Sequence, residues 1–416
     1  MLGADVACTN RMGIHVPRGR LLAHASWIAG EERARRWPGR ANGRNGEAGD
    51  AVRRLMTHEA SPRTVIFSGV RWNFTWQRHH SIAAAAVSSG PVLFVEPMPR
   101  RAVQVHSYLR KGGRGNEVVT IPQPIPHGVE VVSFARYALE SFQATLRLRR
   151  RPLRWRDSDR PDVALCYVPS MLLLAALWQL SPRAVVYDHV VDWGAAPRDW
   201  YPPRFHRWVE HRLAQLTRSR SGAVITTDSA VLQDRWTARG VVCTTVLPAA
   251  DEVFLAAQWD TPEAAHTIGY FGGVRPSEIS IEIMLRYAAS GWDVQVVGPM
   301  DDSTRAELIR GGATCHRPVP NADLVGIVGE WDAVILPYSP SPRLASLVPA
   351  KLFNAIATRR PVHVYGLSLP DELLRACDVV TITDGLVIRY AKDTVPTWAT
   401  RWEEMLGAVA GACKTR

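Results

Sequence analysis

Gly272 and Gly273 are residue types that suit an anion-binding loop. They follow an apolar strand pattern that begins at Ile268, and the absence of two Cβ atoms lets backbone N–H groups approach a diphosphate. Arg275 adds a fixed positive charge two residues later. The pattern is not GxGxxG, so it does not support nicotinamide or flavin binding. A plain glycine turn that leads into a helix is the alternative.

A second candidate anion site lies at Lys351. A polar, proline-rich stretch from Tyr338 to Arg343 follows a predicted strand, and a helix is predicted from about Pro349, because proline is favoured in the first helical turn. The N-terminus of a helix carries partial positive charge and free N–H groups, to which Lys351 adds a full charge. The alternative is a capped helix with an incidental lysine.

Three titratable residues lie at the carboxyl end of another predicted strand, residues 184–190. They are Asp188, His189 and Asp192. Asp and His can both take a proton from a hydroxyl group, so all three are candidate catalytic residues. In the alternative interpretation, Asp188 and Asp192 only cap the loop and the helix that follows.

Metal binding is not predicted for this chain. Its six cysteines lie far apart, without a CxxC or a Cys/His ligand spacing, which indicates a reduced compartment and no structural zinc. Asp301 and Asp302 fall in a predicted loop or helix start rather than in a metal-binding dyad. We therefore expect a metal-independent site without a cofactor, in which negative charge is met by the groups near Gly272 and Lys351.

The elements that carry these residues form two series of short apolar strands that alternate with helices. Such strands are typical of parallel sheets covered on both faces, so the predicted fold class is α/β with two Rossmann-like, doubly wound domains. The first series comprises residues 64–70, 91–95, 118–121, 162–168, 184–190 and 223–227. The second comprises residues 267–271, 293–297, 333–337, 361–365 and 379–383. Because ligands bind outside the carboxyl ends of such strands, we expect the two sheets to face a central cleft.

The sequence pattern divides the chain into four parts. Residues 1–60 are rich in arginine and lack periodicity, which predicts a flexible basic extension. Residues 61–255 and 256–395 are assigned to the two Rossmann-like domains, since apolar periodicity lapses between them. Residues 396–416 contain an amphipathic helix that we expect to pack back on the first domain.

The longest uncharged run, Val163 to Leu180, is long enough to raise the question of a membrane span. Pro169 and Ser170 interrupt it, and Ser170 is a favoured N-cap residue, so a buried strand followed by a helix is predicted. The N-terminus lacks the ordered features of a signal peptide. We therefore expect a cytoplasmic protein.

The formal net charge of +11 is concentrated in the N-terminal half. Residues 100–160 hold thirteen Lys and Arg against five Asp and Glu, and many of these arginines end a predicted amphipathic helix that begins near Phe134. A solvated helix end is the simplest interpretation. A peripheral contact with anionic lipid at the inner face of the membrane, or with a phosphate-bearing acceptor, is the second. Nucleic acid is not an expected partner, because no motif of a known nucleic-acid-binding module accompanies the charge.

Ordered motifs run from residue 64 to residue 410. In the C-terminal half they are Gly-Tyr-Phe-Gly, Val-Val-Gly-Pro, Arg-Pro-Val-Pro, Asp-Ala-Val-Ile-Leu-Pro-Tyr and Pro-Ala-Lys-Leu-Phe, which begin at Gly269, Val296, Arg317, Asp332 and Pro349. In the N-terminal half they begin at Trp72, Val92, Tyr187, Val224 and Leu247. Together they resemble the GT-B glycosyltransferases near glycosyltransferase family 4 and its group 1 relatives, above all bacterial cell-surface polysaccharide transferases with a Trp-Gln-Arg motif after the first strand.

The resemblance implies a nucleotide diphosphate sugar in the C-terminal half, with the base near the loop from Arg317 to Asn321. The donor-side residues that it implies are Gly272, Gly273, Arg275, Gly298, Val319, Ser346, Lys351 and Asn354. Trp72, Trp76 and Arg78 are candidates for the acceptor side, and packing of Trp72 on Trp76 at the start of a helix is the alternative there.

The chain departs from the family pattern at Ser346 and Asn354. Many relatives carry a pair of glutamates eight positions apart here, the second of which holds the nucleotide ribose. Asn354 can hydrogen-bond a ribose hydroxyl, but it supplies no negative charge. The implied activity is hexosyltransferase-like transfer from a nucleotide sugar to a hydroxyl acceptor, such as a polysaccharide, a lipid-linked glycan or a secondary metabolite. A nucleotide-sugar epimerase or hydrolase and a non-catalytic GT-B partner subunit are the alternatives.

Overall fold

A computed structural model describes most of the folded part of the chain. It covers residues 64–96, 109–112, 115–118, 121–133, 161–193, 203–259, 266–341, 344–391 and 395–414. The predicted extension at residues 1–60 and the predicted helix from Phe134 to Arg156 lie outside these ranges.

The first sheet belongs to the N-terminal half. Its strands are β1 (Thr64–Phe67), β2 (Val92–Glu96), β5 (Val129–Ser133), β6 (Val163–Cys166), β7 (Ala184–Asp188), β8 (Ala223–Thr227) and β9 (Cys243–Thr245). Their spatial order is β5-β2-β1-β6-β7-β8-β9, and every described pairing in this sheet is parallel. Strands β3 (Leu109–Gly112) and β4 (Gly115–Val118) form a separate antiparallel pair.

The second sheet belongs to the C-terminal half. Its strands are β10 (Thr267–Phe271), β11 (Asp293–Val297), β12 (Thr314–His316), β13 (Ala333–Pro337), β14 (Val362–Tyr365), β15 (Cys377–Ile382) and β16 (Gly385–Ala391). Their order is β12-β11-β10-β13-β14-β16-β15. The pairings from β12 to β14 are parallel, whereas β16 pairs antiparallel with both β14 and β15.

Helices connect the strands in both halves. The N-terminal half has α1 (Arg78–Ala86), α2 (Met171–Leu180), α3 (Pro203–Ser219), α4 (Ala230–Thr237) and α5 (Glu252–Ala256). The C-terminal half has α6 (Ile281–Ala289), α7 (Asp302–Arg310), α8 (Asn321–Gly329), α9 (Ala350–Ala357) and α10 (Asp371–Arg375), and α11 (Trp398–Lys414) ends the chain. A 3₁₀ turn, Leu344–Ser346, precedes α9. The α/β fold class with two doubly wound sheets is confirmed by this arrangement.

The uncharged run from Val163 to Leu180 forms strand β6 and helix α2, as predicted. The Ser170 hydroxyl accepts a hydrogen bond from the Leu173 N–H at 3.1 Å and caps the helix. Of the helices that the structure describes, none is both long and apolar enough to cross a membrane.

Each sheet has one point at which the strand order reverses. In the first sheet β1 lies between β2 and β6, and in the second β10 lies between β11 and β13. In doubly wound sheets, ligands bind in the crevice at this reversal, outside the carboxyl ends of the strands. We therefore expect a ligand site to be lined by the segments after β1, β6, β10 and β13.

Helix α11 returns to the N-terminal half. Its buried residues Trp398, Trp402, Met405 and Val409 pack in one apolar cluster with side chains of β1, β2, β6 and α1. The indole N–H of Trp402 also donates to the Ser89 hydroxyl at 3.1 Å. The last helix of the chain therefore adds to the core of the first sheet.

Two predicted strands are placed or paired differently in the structure. Of the strand predicted at residues 118–121, Val118 ends β4 in the separate two-stranded sheet and Ile121 lies outside a strand. Strand β5 takes the edge position beside β2 instead. The strand predicted at residues 379–383 exists as β15, but it belongs to an antiparallel hairpin whose turn includes Asp384 at φ 61°.

Candidate functional site

Three glycine positions build the carboxyl edge of β10 and β11. Gly272 has φ 119° and Gly298 has φ 148°, a region that L side chains rarely adopt. A Cβ atom on Gly298 would lie 2.1 Å from the Gly272 carbonyl oxygen, so the two loops approach too closely for a side chain. The Gly272 N–H donates to the Val297 carbonyl at 2.8 Å, and Gly273 follows it. The result is an edge lined by backbone rather than by side chains, in which the Gly272 N–H is already bonded within the protein.

Lys351 lies directly over this edge. It is the second residue of α9, and its Nζ donates to the Tyr270 hydroxyl at 2.7 Å, which in turn donates to the Gly273 carbonyl at 2.8 Å. A Cβ atom on Gly272 would meet Lys351 Nζ at 2.5 Å. The structure therefore brings Gly272, Gly273, Gly298 and Lys351 together at the reversal between β10 and β13.

The Lys351 ammonium has an unusual environment. Its Nζ lies 4.5 Å from the centre of the Tyr270 ring, and no carboxylate pairs with it among the described residues. Burial lowers the pKa of Lys351 to about 7, with Glu278 opposing this shift and Arg275 adding to it. A diphosphate would supply the negative charge that the site lacks.

The other donor-side candidates are placed around this cluster. Arg275 Nη1 lies 3.1 Å from Glu278 Oε1, so its charge is partly neutralised. Val319 is half-buried against the core of the second sheet, in the loop before α8. Ser346 is buried in the 3₁₀ turn before α9.

Asn354 faces a protein carboxylate. Its Oδ1 accepts from the Asp251 backbone N–H at 2.7 Å, and its Nδ2 donates to Asp251 Oδ2 at 2.8 Å. Both residues are buried. The Asn354 amide is therefore bonded, through its oxygen and its nitrogen, to Asp251.

Asp251 joins elements from both halves of the chain. It is the N-cap residue of α5 and was not singled out as a site residue in the sequence. Its carboxylate accepts further hydrogen bonds from Trp76 Nε1 at 3.3 Å, Ser81 Oγ at 2.5 Å, Trp398 Nε1 at 2.9 Å and Asn321 Nδ2 at 3.3 Å. Helices α1, α8, α9 and α11 thus meet at one buried charge.

Asp188 is fully buried at the end of β7 and is bonded to Arg78. Arg78 Nε donates to Oδ2 at 2.7 Å and Nη2 to Oδ1 at 3.1 Å, and the Thr226 hydroxyl donates to Oδ1 at 2.8 Å. Burial opposes the charge of Arg78, but Asp188 and Asp228 outweigh it and raise the pKa of the guanidinium. Asp188 therefore holds Arg78 in its charged form and in a fixed orientation.

Asp228 is a second buried carboxyl beside Arg78. It follows the last residue of β8, and its Oδ2 lies 3.7 Å from Arg78 Nη1. Burial raises the pKa of Asp228 well above its ordinary value, Asp188 adds to this shift and Arg78 opposes it. The sequence contained a signal for this residue, because it is polar and stands at the carboxyl end of a buried strand, but it was not assigned a role.

His189 and Asp192 have protein partners. The Trp236 indole N–H donates to His189 Nδ1 at 2.8 Å, so the ring proton is on Nε2, which lies 3.2 Å from Glu210 Oε1. Asp192 Oδ1 lies 2.9 Å from Arg235 Nη1. Of the three catalytic candidates, Asp188 contacts Arg78 directly.

The two tryptophans of the acceptor side differ in burial. Trp72 is 1% exposed and packs edge-to-face on Phe94 in the core of the first sheet. Trp76 is half-buried, and its indole N–H is shared between Ser81 and Asp251. The rings lie 5.9 Å apart and precede α1, which begins at Arg78, so their contact is made within a loop.

The described residues contain no group of three or more His, Cys, Asp and Glu side chains that could hold a metal ion. The positive groups near the glycine edge are Lys351, Arg275 and the N-terminus of α9.

No family model matches the chain, and no curated protein matches its sequence. Solved structures do match it. HepE of Anabaena, crystallised with UDP and glucose, is 11% identical with a TM-score of 0.49, and the alignment covers 85% of this chain and 94% of that one. Sucrose-phosphate synthase of Thermosynechococcus elongatus is 10% identical with a TM-score of 0.49, covering 85% and 97%. AviGT4, a glycosyltransferase involved in avilamycin A biosynthesis, is 11% identical with a TM-score of 0.42, covering 86% and 96%.

The fold class follows from the sheets themselves. The chain has two doubly wound, Rossmann-like sheets, one in each half, and its last helix returns to the first of them. This is the GT-B arrangement, which the sequence predicted.

Proposed function

We propose that the protein transfers a sugar from a nucleotide diphosphate sugar to a hydroxyl acceptor. The observation that carries the proposal is the position of Lys351 on the first turn of α9, over the glycine edge of β10 and β11. A helix N-terminus, free backbone N–H groups and an ammonium without a carboxylate partner in the described residues suit a diphosphate. These groups meet the negative charge that develops on the leaving diphosphate, so no metal is required.

The remaining roles follow the resemblance. Gly298 and Arg275 border the diphosphate, the loop with Val319 receives the base, and Ser346 lies near the sugar. The Asn354 side chain bonds Asp251, so we propose that it supports the donor site indirectly and does not bind the ribose. The acceptor lies at the carboxyl edge of the first sheet, near Arg78, Trp76 and Asp188.

The basic segments lie largely outside the described residues. We propose a cytoplasmic protein whose basic N-terminal half makes a peripheral contact with anionic membrane, where a lipid-linked acceptor would be found. Pelleting with vesicles of anionic and of neutral lipid at low and high salt tests this contact. Binding that depends on neither the salt concentration nor the lipid charge would contradict an electrostatic contact with the membrane.

A non-catalytic GT-B partner subunit is the second candidate. The observation that favours it is the same Asn354, because a residue bonded to Asp251 leaves the ribose without the glutamate of active relatives. An epimerase or hydrolase that uses the same donor site is distinguished by its products. Turnover by the purified chain alone would eliminate the partner-subunit interpretation.

Two measurements test the proposed function. The first is a thermal-shift series with UDP, GDP, ADP, dTDP and their sugars, in which a ligand at 100 times its dissociation constant adds about 2.7 kcal/mol. The second is mass spectrometry of the products formed from the stabilising nucleotide sugar with octyl glucoside, methyl glucoside and 4-methylumbelliferone. A new glycoside supports transfer, whereas an isomerised sugar supports an epimerase and free sugar a hydrolase. Stabilisation by no nucleotide would contradict the proposal.

A further inference from the structure

Arg78 and Asp228 each have a buried polar atom without a hydrogen-bond partner. Arg78 Nη1 and Asp228 Oδ1 both lack one among the described residues, and the two side chains are 6% and 3% exposed. The 3.7 Å between Arg78 Nη1 and Asp228 Oδ2 is too long for a hydrogen bond. The Tyr167 hydroxyl beside Arg78 and Asp188 is also buried without a hydrogen-bond partner among the described residues. Buried polar groups are nearly always satisfied, so a further hydrogen-bonding group is expected at this cluster.

The chemistry of Arg78 Nη1 and Asp228 Oδ1 defines this further group. Arg78 Nη1 can only donate, and an ionised Asp228 oxygen can only accept. A guest of the ionised form, which is the form that can act as a base, must therefore accept from Arg78 and donate to Asp228. A hydroxyl group does both, whereas an ammonium group cannot accept and a carbonyl group cannot donate. The pair suits an alcohol hydroxyl or a water molecule.

The neighbouring Asp188 is committed elsewhere, because Arg78 and Thr226 occupy both of its oxygens. His189 accepts from Trp236 through Nδ1, and its Nε2 lies 3.2 Å from Glu210 Oε1 on the side away from Trp236. Burial makes the Asp228 anion a stronger base than an ordinary carboxylate. Asp228 thus combines an oxygen without a partner in the described chain with the basicity that proton abstraction needs.

The pair lies close to the donor half. Helix α4 begins two residues after Asp228, and the 3₁₀ turn Leu344–Ser346, which precedes α9, packs against that helix. The carboxyl edge of β8 and the segment between β13 and α9 therefore meet. An alcohol bound at Arg78 and Asp228 would stand on the side of the first sheet that faces the sugar donor.

We propose that Arg78 Nη1 and Asp228 Oδ1 form the seat of the acceptor hydroxyl, and that Asp228 takes its proton. This inference rests on the transfer reaction proposed above. The hydroxyl O–H bond breaks and its proton passes to Asp228, while the hydroxyl oxygen forms a bond to the anomeric carbon of the donor sugar. The bond from that carbon to the diphosphate breaks, and its electron pair leaves with the nucleoside diphosphate.

The test compares Asp228→Asn with Asp234→Asn. Asp234 is exposed on α4, so its substitution is a matched control. For each protein we would measure the dissociation constant of the stabilising nucleoside diphosphate and the glycoside formed with the three acceptor probes named above. Asp228→Asn should reduce kcat by about 10²- to 10⁴-fold, the range of general-base catalysis, and leave nucleotide affinity within about twofold. Turnover by Asp228→Asn at the rate of Asp234→Asn would contradict the assignment of Asp228 as the base for the acceptor hydroxyl.

A crystal structure of the nucleotide-bound protein gives a readout that does not depend on turnover. An oxygen atom should lie within about 3.2 Å of both Arg78 Nη1 and Asp228 Oδ1, and a hydroxyl of octyl glucoside should replace it in soaked crystals. A direct bond between the two side chains, or a water that octyl glucoside never displaces, would overturn it. Failure of every nucleotide to bind would instead overturn the proposed function itself, so the two failures are distinguishable.

Discussion

Exchanging the side chains of Asp251 and Asn354 would reverse the direction of the side-chain hydrogen bond between them. Asn354→Asp places a carboxylate oxygen where Nδ2 now donates to Asp251 Oδ2 at 2.8 Å. Asp251→Asn with Asn354→Asp restores one donor and one acceptor, because the amide introduced at position 251 can donate to the new carboxylate. The oxygen of that amide still accepts from Trp76, Ser81 and Trp398, which now bond to Asp251 Oδ1. The weak bond from Asn321 Nδ2 to Asp251 Oδ2, at 3.3 Å, is lost in the exchange, because the new NH₂ group cannot accept.

The loss in free energy of unfolding caused by Asn354→Asp alone follows from the protonation of the two carboxyl groups. Two carboxylates at hydrogen-bond distance cannot both ionise in a buried site, so one of them must stay protonated. The unfolded side chain ionises with a pKa near 3.9, and each unit by which the solution pH exceeds it costs about 1.4 kcal/mol. Asn354→Asp should therefore lower the free energy of unfolding by about 4 kcal/mol at pH 7 and by about 1.5 kcal/mol at pH 5.

The sign of this dependence is fixed. The folded pKa of the carboxyl pair is raised above the unfolded value, so stability is retained at low pH and is lost as the pH rises toward the folded pKa. The double exchange carries no second carboxylate and should return to within about 1 kcal/mol of the original protein at both pH values.

Urea unfolding of the original protein, both single variants and the double exchange at pH 5 and pH 7 measures these effects. Asp251→Asn alone should cost about 2 kcal/mol, because charge-assisted hydrogen bonds are lost. A pH-independent Asn354→Asp variant, or a double exchange no more stable than the sum of the singles, would refute the arrangement of Asp251 and Asn354.

Three further predictions follow from the site. Because the pKa of Lys351 is lowered to about 7 and a bound diphosphate would raise it again, nucleotide-sugar affinity should weaken about tenfold from pH 6 to pH 8, and Lys351→Arg should abolish this dependence in calorimetric titrations. Gly272→Ala should weaken nucleotide binding at least tenfold, since its Cβ would meet Lys351 and its φ is 119°, while Gly326→Ala, which meets nothing within 4 Å, should bind normally. Asp188→Asn should lower the free energy of unfolding by about 3 kcal/mol by leaving buried Arg78 without its anion, and a change below about 1 kcal/mol in denaturant titrations would contradict that pairing.

Much of the second sheet was predictable because its strands are continuous apolar runs. Strands β10, β11 and β13 have the bounds that the sequence predicted. The three-residue edge strands β9 and β12 were missed, since runs this short carry no periodic signal. Strand β5 was also missed. It is short and half-exposed and follows a proline-rich stretch, so its apolar pattern is weak.

The sequence also predicted the local part of the candidate site. Gly272, Gly273 and Lys351 were found because glycine pairs and helix starts have local signals, and the structure brings them together. The partners of Asp251 lie 70 to 175 residues away along the chain, so only the fold can bring them to one carboxylate. The same holds for Arg78, which pairs with Asp188 across 110 residues.

The diphosphate site is tested by calorimetric titration of the most stabilising nucleoside diphosphate into the original protein and into Lys351→Ala. Saturable binding at one site is expected in the original protein. Lys351→Ala should lose at least tenfold in affinity, because the diphosphate would lose the ammonium on the first turn of α9. Equal affinity in the two proteins would contradict the placement of the diphosphate at Lys351 and the glycine edge.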